Sequence, residues 1–562
     1  MGLVLVVAFG AVVVRLVDVQ VLSAERYADV GRTQRLRSVV LPAQRGAIVD
    51  RNGAELAVSV RRPTVWADPR AVDDPAATAS ALAPVLDRDP TELRDLLTGD
   101  AAFAYVARKV DDETGRAVAA LELPGIGIYD EADRLEPAGT VAGPVLGGVG
   151  IDGDGLSGLE QQYDAVLAGT PGERVVERDP AGREIAGGAE REVSPVRGSE
   201  LVLTLDRDLQ YATEEILGRH VAEAGARSGV AVIMDPTTGE VLAMAAMTGR
   251  PGAAAAPSSY NRALVDVYEP GSVAKIVPMA GALEEGAVGP EQVFTVPDRI
   301  EVAGSEFSDF APHPTESLTS RRILAESSNV GTIQVARALG PDRLARYLGA
   351  FGLGQPTGLA FPGESTGLVP ERGTWSGTSL ATLALGQGVA VNAVQMLGAY
   401  NAVANGGVLV TPRLVREVVA PDGTSRPLDD GAGRPVVSEA TARLVADMLA
   451  EVVRDGTGRG AAIDGYAVAG KTGTARKVVE GVSGYKDGAY VASFAGFFPA
   501  EHPRVSMIVV LDEPTPYTGG AAAAPAFADL ARFTARHLQV PGSAPPEPAT
   551  GAATLAASPT GP

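Results

Sequence analysis

A serine and a lysine three residues apart form the first pair that could do chemistry. Ser272 and Lys275 follow the segment Tyr268-Glu269-Pro270-Gly271, and an apolar stretch continues to Leu283. We expect a helix to begin here with Ser272 in its first turn, where backbone N–H groups are unpaired and the dipole favours negative charge. Lys275 would lie on the same face. A serine nucleophile needs a base, and lysine can be that base if burial and a neighbouring cation lower its pKa by about three units.

The sparing use of lysine makes this pair more informative. Arginine supplies most of the positive charge, but it cannot act as a base at neutral pH. The lysines of the chain are Lys109, Lys275, Lys471, Lys477 and Lys486. A second S-x-x-K runs from Ser483 to Lys486 in a glycine-rich stretch without a helix start, and we assign it no function.

Two more polar clusters follow later in the chain. Ser327-Ser328-Asn329 places a hydroxyl and a carboxamide where they could relay a proton and hold a substrate amide. Lys471-Thr472-Gly473-Thr474 follows, on a strand predicted from Tyr466, and Lys471 could place a second positive charge. Gly473 has no side chain and would let an extended substrate lie along the strand edge. Each cluster alone is typical of a turn or a strand end, but all three in this order are far less common by chance.

The order S-x-x-K, S-x-N and K-T-G resembles that of penicillin-binding proteins and β-lactamases. The chain looks most similar to a class B penicillin-binding protein of the division-specific type found in actinobacteria. Three further segments carry the same resemblance. They are Arg45–Gly53 and Gly153–Glu160 in the first part of the chain, and Gly386-Gln387-Gly388 with Gln395 in the second.

The resemblance implies a catalytic role for five residues. Ser272 would be the acylated nucleophile and Lys275 its general base. Ser327 would carry the proton to the leaving group, while Asn329 would bind the peptide amide. Lys471 would tune the electrostatics of the site.

The resemblance also implies the substrate and the reaction. Thr472, Gly473 and Thr474 would bind substrate, with the two threonines holding the terminal carboxylate and the N–H groups of Ser272 and Thr474 forming an oxyanion hole. The enzyme would be a D,D-transpeptidase that cross-links peptidoglycan stem peptides in septal wall synthesis during cell division, and β-lactam antibiotics would acylate it. No cofactor and no metal are implied. The alternatives are a D,D-carboxypeptidase or β-lactamase with water as acceptor, and a non-catalytic β-lactam sensor.

Composition excludes several other classes of protein. The 562 residues include 48 basic and 69 acidic ones, a net charge of −21, which argues against nucleic-acid binding. The absence of cysteine excludes disulfides, thiolate metal sites and a cysteine nucleophile. Gly465 to Thr472 matches a phosphate-binding G-x-x-x-x-G-K-[ST] motif, but Tyr-Ala-Val-Ala is strand-like where the flexible loop should be. Asp152 to Gly155 resembles a calcium loop without its further ligands, so we expect a turn there.

The N-terminus predicts a membrane anchor. Leu3 to Val14 is apolar, and Arg15 and Asp18 are placed to pair in the continuation to Leu22. A buried helix and a cleaved signal peptide are the alternatives, although no small-residue cleavage site follows the apolar run. We expect residues 1–22 to be a transmembrane signal anchor that is truncated at its N-terminus.

The fold class that the resemblance implies is an α/β penicillin-binding transpeptidase fold, an antiparallel sheet flanked by helices, after an extended β-rich pedestal. We expect the pedestal, a dimerisation-type domain, at 23–195, the transpeptidase domain at 196–540 and a disordered tail at 541–562. The implied location is the plasma membrane, crossed once, with the catalytic domain on the extracytoplasmic side. The implied partners are a glycosyltransferase of the SEDS type and other division proteins.

Local patterns predict the start of the second domain in more detail. Leu201 to Leu205 alternates like a strand, and Asp206 is placed to cap a helix from Arg207. Two strand pairs are also predicted. They are Val230–Met234 with Val241–Met244, and Tyr490–Phe498 with Arg504–Leu511.

Overall fold

The structure is a computed structural model that describes residues 1–23, 25, 36–177, 190–250, 252–428, 431–478 and 484–543. Helix α1 (Gly2–Val17) continues through a π-helical turn to Leu22, and none of its residues is buried. The combined helix is long and apolar enough to cross a membrane. Arg15 Nη1 and Asp18 Oδ2 form the predicted ion pair at 2.5 Å. Apart from residues 541–543, the predicted disordered tail lies outside the described residues.

The described residues of the pedestal form strands and helices. Its strands are β1 (Leu36–Leu41), β2 (Ile48–Val49), β3 (Glu55–Ala67), β4 (Ala104–Ala107), β5 (Ile126–Leu135), β6 (Gly172–Glu177) and β7 (Glu190–Val193). Its helices are α2 (Pro75–Leu86), α3 (Pro90–Leu97), α4 (Asp112–Ala119), α5 (Gly143–Leu146), α6 (Gly158–Gln162) and α7 (Asp164–Leu167). Helices α2, α3 and α4 each begin after an aspartate whose carboxylate accepts backbone N–H groups of the first turn. These caps fix the starts of the three helices, which contribute to a small apolar core with β3 and β4.

A buried ion cluster joins the two pedestal segments that carry the resemblance. Arg45 Nε donates to Glu160 Oε2 at 2.6 Å, and Arg134 Nε donates to Glu160 Oε1 at 2.8 Å. Arg45 also reaches Asp164 at 2.6 Å and the carbonyl of Gly153 at 3.1 Å. The Asp152–Gly155 segment is therefore a turn packed against Arg45, as predicted.

Replacing Glu160 by alanine should lower the free energy of unfolding by about 3–5 kcal/mol, because two buried guanidinium groups would lose their main counter-charge. Chemical denaturation of the full-length protein measures this. Glu439→Ala, which breaks an exposed ion pair with Arg443, is the control and should leave stability nearly unchanged. Equal stability of the two variants would contradict the prediction.

The second part of the chain contains the remaining strands and helices. The strands are β8 (Glu200–Leu203), β9 (Ser228–Met234), β10 (Val241–Arg250), β11 (Ala253–Pro257), β12 (Val293–Val296), β13 (Arg299–Val302), β14 (Ser305–Ser308), β15 (Glu316–Thr319), β16 (Val408–Leu409), β17 (Val415–Val419), β18 (Ser425–Pro427), β19 (Arg434–Pro435), β20 (Ala469–Val478), β21 (Tyr485–Phe498) and β22 (Val505–Asp512). The helices are α8 (Arg207–Glu223), α9 (Arg262–Val265), α10 (Ile276–Glu284), α11 (Ser320–Glu326), α12 (Asn329–Leu339), α13 (Pro341–Ala350), α14 (Ser379–Ala384), α15 (Ala393–Ala404), α16 (Glu439–Arg454) and α17 (Ala523–His537).

A six-stranded antiparallel sheet forms the centre of this part, in the order β11-β10-β9-β22-β21-β20. Side chains alternate between its two faces. Val232 of β9 packs in one core with residues of α10, α12 and α15. Its neighbour Ile233 packs in the opposite core with residues of α8 and α17. The sheet is thus flanked by helices on both faces, and the two predicted strand pairs, β9–β10 and β21–β22, are confirmed.

A second sheet runs across the predicted boundary between residues 195 and 196. Its order is β18-β17-β8-β2-β3-β4, with β5 also paired to β3. Strand β8 pairs in parallel with β2 of the pedestal and antiparallel with β17.

The first resemblance segment reinforces this connection at the start of α8. Asp206 caps the helix as predicted, accepting from the N–H of Leu209 at 3.0 Å. Asn52 Nδ2 donates to the same aspartate at 3.2 Å, and Asp50 accepts the N–H of Arg207 at 3.0 Å. Residues of the pedestal therefore fix the N-terminus of a helix that packs under the central sheet.

Candidate active site

Ser272 lies in a single 3₁₀ turn, Gly271–Lys275, that leads directly into α10. The predicted helix start is correct in position, and its first turn is 3₁₀ rather than α. Gly271 has φ +57° and donates its N–H to the carbonyl of Gly386 at 3.0 Å. A Cβ at Gly386 would lie 2.2 Å from the carbonyl oxygen of Gly271. The Gly386–Gly388 segment therefore supports the nucleophile turn through close backbone contact that only glycine permits.

Lys275 connects the first cluster to the second. Its side chain is completely buried. Its Nζ donates to the carbonyl of Ser327 at 2.5 Å and to Asn329 Oδ1 at 2.7 Å, and lies 3.3 Å from Ser327 Oγ. Two segments predicted to act together therefore meet at one amine.

The S-x-N residues reach Lys275 through a sharp turn between two helices. Helix α11 ends at Glu326, and the next residue, Ser327, adopts a left-handed conformation with φ +62°. Ser328 then caps α12, accepting the N–H of Gly331 at 2.9 Å. Asn329 is the first residue of α12, so its side chain projects from the rigid start of a helix. The turn directs the side chains of both Ser327 and Asn329 towards the Lys275 amine.

The K-T-G segment lies on β20, the edge strand of the central sheet next to the Ser272 turn. The strand begins at Ala469 rather than at Tyr466, so only the last residues of the Gly465–Thr472 phosphate-binding pattern lie on it. Lys471 is completely buried, with Nζ 3.4 Å from both the carbonyl and the hydroxyl of Thr472. Thr474 accepts the N–H of Gly519 at 3.0 Å.

Burial lowers the pKa of both lysines. The pKa of Lys275 falls to about 7, because desolvation disfavours its charged form more than the negative charge of Asp309 favours it. The pKa of Lys471 lies well below its ordinary value through burial and the adjacent positive charge of Lys275. Lys275 is therefore a neutral amine in an appreciable fraction of molecules at neutral pH, as a general base requires.

The three clusters share one groove of about 600 Å³. Ser272, Ser327, Asn329, Thr472 and Thr474 line it. Lys275 and Lys471 are buried and reach residues of this lining through their amines. The groove also contains Asp309 and Thr457, which the sequence analysis missed because neither belongs to a recognisable motif. Thr457 Oγ1 lies 2.9 Å from Thr472 Oγ1.

Gly473 is confined by its neighbours. A Cβ there would lie 2.3 Å from Ser493 Oγ and 2.9 Å from the carbonyl oxygen of Pro270. The missing side chain lets β20 approach both β21 and the chain entering the Ser272 turn.

Replacing Gly473 by alanine should therefore lower the free energy of unfolding by about 1–3 kcal/mol, because the added methyl group would overpack this contact. It should also slow acylation of the protein by a fluorescent penicillin, because the strand would move relative to the nucleophile. Denaturation and labelling time courses measure the two effects. Gly373→Ala adds the same methyl group where no atom lies within 4 Å and should change neither; a matching loss there would refute the explanation.

Such a site is suited to acyl transfer. A half-buried hydroxyl begins a helix, a neutral amine can accept its proton, and a strand edge and a carboxamide can align a peptide.

Comparisons with known proteins identify two family domains in this chain. The model described as penicillin binding protein transpeptidase domain matches residues 229–532, and the penicillin-binding protein dimerisation domain matches residues 40–203. PbpB of Mycobacterium tuberculosis is 37% identical over 553 residues, covering 91% of this chain and 80% of that protein. Peptidoglycan D,D-transpeptidase FtsI of Escherichia coli is 34% identical over 547 residues, covering 94% and 89%. The crystal structure of penicillin-binding protein 3 of M. tuberculosis with aztreonam has TM-score 0.71 and 34% identity, covering 90% of this chain and 99% of that one.

The matched domains occur in the order pedestal then catalytic domain, and an apolar N-terminal helix precedes both. The chain belongs to the penicillin-binding protein transpeptidase family, among its class B members of the PbpB and FtsI type.

Proposed function

We propose that this protein is a peptidoglycan D,D-transpeptidase that cross-links stem peptides through a Ser272 acyl-enzyme and is acylated by β-lactams. The observation that carries the proposal is the fully buried Lys275, with a pKa of about 7, one helical turn after Ser272 and bonded to Ser327 and Asn329. The names of FtsI and of the aztreonam and ampicillin complexes of relatives support the same activity.

Each residue has a role in the proposed reaction. Neutral Lys275 removes the proton of Ser272 Oγ, which attacks the penultimate D-Ala carbonyl of a stem peptide. The developing oxyanion accepts hydrogen bonds from the backbone N–H groups of Ser272 and Thr474. Ser327 passes the proton to the departing amine, and the terminal D-Ala leaves as the C–N bond breaks. The amine of a second stem then attacks the ester, forms the cross-link and releases Ser272.

Four residues position the substrate in this proposal. Asn329 has a second Nδ2 hydrogen beyond the one donated to the carbonyl of Ser308 at 2.8 Å, and this hydrogen can bind a peptide carbonyl. Thr472 and Thr474 present hydroxyls to the substrate carboxylate from β20. Lys471 lies behind Thr472, so the amine orients that threonine hydroxyl and adds positive potential in its protonated fraction.

The cellular setting is part of the proposal. Homologues of the division type support a role in septal wall synthesis. The N-terminal helix would anchor the protein in the plasma membrane, with the pedestal of residues 23–195 and the transpeptidase domain of residues 196–540 on the extracytoplasmic side. A glycosyltransferase of the SEDS type and other division proteins are the proposed partners.

Product analysis tests the activity. The purified protein is incubated with a stem peptide ending in D-Ala-D-Ala and with an acceptor stem amine, and the products are identified by mass spectrometry. We expect a cross-linked dimer and free D-Ala, and neither with Ser272→Ala. Hydrolysis without any dimer would support a carboxypeptidase instead, and binding of β-lactams without turnover of peptide would support a sensor.

The acylation rate should rise with pH through about 7 and then level off. Below that pH Lys275 carries its proton and cannot accept one from Ser272, so the rate should fall nearly tenfold for each further unit of acid. Stopped-flow labelling with a fluorescent penicillin between pH 5.5 and 9 measures the profile. A flat profile would contradict a neutral-lysine base.

A further inference from the structure

The glutamate at the entrance to the nucleophile turn bonds to two other segments of the protein. Glu269 Oε1 accepts the backbone N–H of Gly388 at 2.8 Å, and Glu269 Oε2 accepts the hydroxyl of Tyr485 at 3.0 Å. Glu269 lines a second cavity, of about 780 Å³, and is not part of the lining of the catalytic groove. An effect of Glu269 on acylation would therefore be exerted through the segments to which it bonds.

The nucleophile segment, residues 268–272, is attached to residues 386–391. The backbones of Tyr268 and Val391 exchange two hydrogen bonds, both at 3.0 Å, at one end of this contact. The N–H of Gly271 donates to the other end at 3.0 Å. The carboxylate of the glutamate bonds between these two points, so the contact is held along its length.

The nucleophile segment also packs closely against β20. A Cβ at Gly271 would lie 3.2 Å from Ala475 Cβ and 3.3 Å from the carbonyl oxygen of Thr474. Among the described residues, the bond from Tyr485 to Glu269 is the only hydrogen bond between this segment and the β20–β21 pair. The position of the segment relative to β20 therefore depends on packing and on this one side-chain bond.

Tyr485 places that bond at the end of the strand pair. It begins β21 and pairs with Val478, the last residue of β20. Burial and the negative charge of Glu269 raise the pKa of Tyr485 to about 12, so its hydroxyl keeps its proton at neutral pH and donates to the carboxylate. Val478 is four residues from Thr474, about 13 Å along an extended strand. The bond therefore anchors the end of the β20–β21 pair to the nucleophile segment.

The proposed oxyanion hole takes one N–H group from each of these two parts. Ser272 contributes its N–H from the nucleophile segment, and Thr474 contributes its N–H from β20. Two such donors stabilise an oxyanion only while both lie about 3 Å from it. A displacement of about 1 Å between the two parts can cost about a hundredfold in rate. Contacts that fix the nucleophile segment relative to β20 therefore bear on the chemical step.

We propose that Glu269 is a positioning residue for acylation: it ties the nucleophile segment to the β20–β21 pair and thereby fixes the spacing of the two oxyanion-hole N–H groups. This inference rests on the proposed function of Ser272. It predicts a specific defect when the tie is removed. The acylation step slows and the hydrogen bonds to the ester carbonyl weaken, while non-covalent binding of the β-lactam, which depends on the lining of the groove, changes little.

Three substitutions test this tie. Glu269→Ala removes both bonds and should lower the rate constant of acylation at saturating β-lactam at least about tenfold, the value of one charge-assisted hydrogen bond. Tyr485→Phe removes only the bond to the strand pair and should lower the same rate constant about three- to tenfold. Glu269→Gln keeps both bonds, because its carbonyl accepts from Gly388 and its amide N–H can donate to the tyrosine oxygen. Its rate constant should stay within about threefold of wild type.

Two readouts report the chemical step separately from binding. Stopped-flow labelling with a concentration series of a fluorescent penicillin gives the acylation rate constant and the dissociation constant of the non-covalent complex, and the latter should change less than about threefold in each variant. Difference infrared spectroscopy of the acyl-enzyme reports the ester carbonyl. Its band should move to higher frequency in Glu269→Ala and Tyr485→Phe, because the hydrogen bonds of the oxyanion hole are weaker. Melting temperatures establish that each variant is folded.

A second glutamate–tyrosine bond in the same domain supplies the matched control. Glu285 accepts the hydroxyl of Tyr347 at 2.8 Å, just beyond the far end of α10. Neither residue lines the groove. Glu285→Ala and Tyr347→Phe should therefore reproduce the acylation rate constant and the carbonyl band of the wild type.

The outcomes distinguish the two proposals. An unlabelled wild type would refute the proposed function itself. With a labelled wild type, an unchanged acylation rate constant in folded Glu269→Ala would overturn the present inference. A loss that Tyr485→Phe does not share, an unmoved carbonyl band, or an equal loss in the controls would also overturn it, since a merely structural glutamate does not alter the oxyanion hole. If Glu269→Ala does not fold, Tyr485→Phe decides by the same criteria.

Discussion

Ser272→Ala should abolish covalent labelling by a fluorescent penicillin, with a loss of at least about a thousandfold in the acylation rate. Among the residues that the structure describes, no other hydroxyl can replace it, because only position 272 combines the start of a helix with a lysine of lowered pKa one turn later. Intact-protein mass spectrometry should show one β-lactam adduct on the wild type and none on the variant. The substitution removes one oxygen from a half-buried position, so the fold should be retained.

The second S-x-x-K sequence supplies the control for this experiment. Ser483→Ala removes the other serine of that pattern, and position 483 lies outside the described residues. Lys486 is exposed and pairs with Glu513 at 3.3 Å, so it lacks the burial that lowers the pKa of Lys275. Ser483→Ala should label like the wild type. Equal labelling of Ser272→Ala and the wild type would refute the nucleophile assignment.

Lys275→Met should lower the acylation rate by about a thousandfold, the middle of the range for loss of a general base. Methionine has a similar length and no charge, and it can occupy a completely buried position without desolvation of an ammonium group. The remaining acylation rate should no longer rise with pH through about 7, because the titrating amine is absent. Stopped-flow labelling gives both quantities, and a thermal melt should show a folded protein.

Lys109→Met makes the same chemical change in the pedestal, at a position distant in sequence from the residues of the groove. The Lys109 amine lies 3.7 Å from Asp133. Its acylation rate and pH profile should match the wild type. If folded Lys275→Met retained the wild-type rate and its rise through pH 7, another group would have to be the base.

Sequence patterns predicted the local features of the site, and the resemblance carried by the three clusters implied that they act together. The helix start at Ser272, the cap at Asp206 and the two strand pairs each depend on residues close together in the chain, where side-chain type and backbone preference act directly. The burial of Lys275 was expected on chemical grounds, since an exposed lysine could not be a base at neutral pH.

Contacts between distant segments could not be predicted in the same way. Asp309 was missed because aspartates are common in loops. Its contacts with the backbone N–H groups of α12 depend on that helix beginning beside it in the folded protein. The backbone hydrogen bond between Gly271 and Gly386 could not be predicted either, because a contact between two main chains has no side-chain pattern in the sequence. Parallel pairing of β2 with β8 depends on tertiary packing, which local propensity does not encode.

That parallel pairing has a mechanical consequence. A single flexible linker would let the pedestal rotate relative to the second part of the chain. Here β2 of the pedestal and β8 of the second part are joined by main-chain hydrogen bonds. A force on the pedestal must therefore either break the pairing of β2 with β8 or move β8 together with the pedestal. Asp50 and Asn52 also bond to the first turn of α8, so the same force acts on this helix, which packs against the central sheet. A force applied to the pedestal is therefore transmitted to α8 and to the face of the central sheet against which α8 packs, without any contact in the groove.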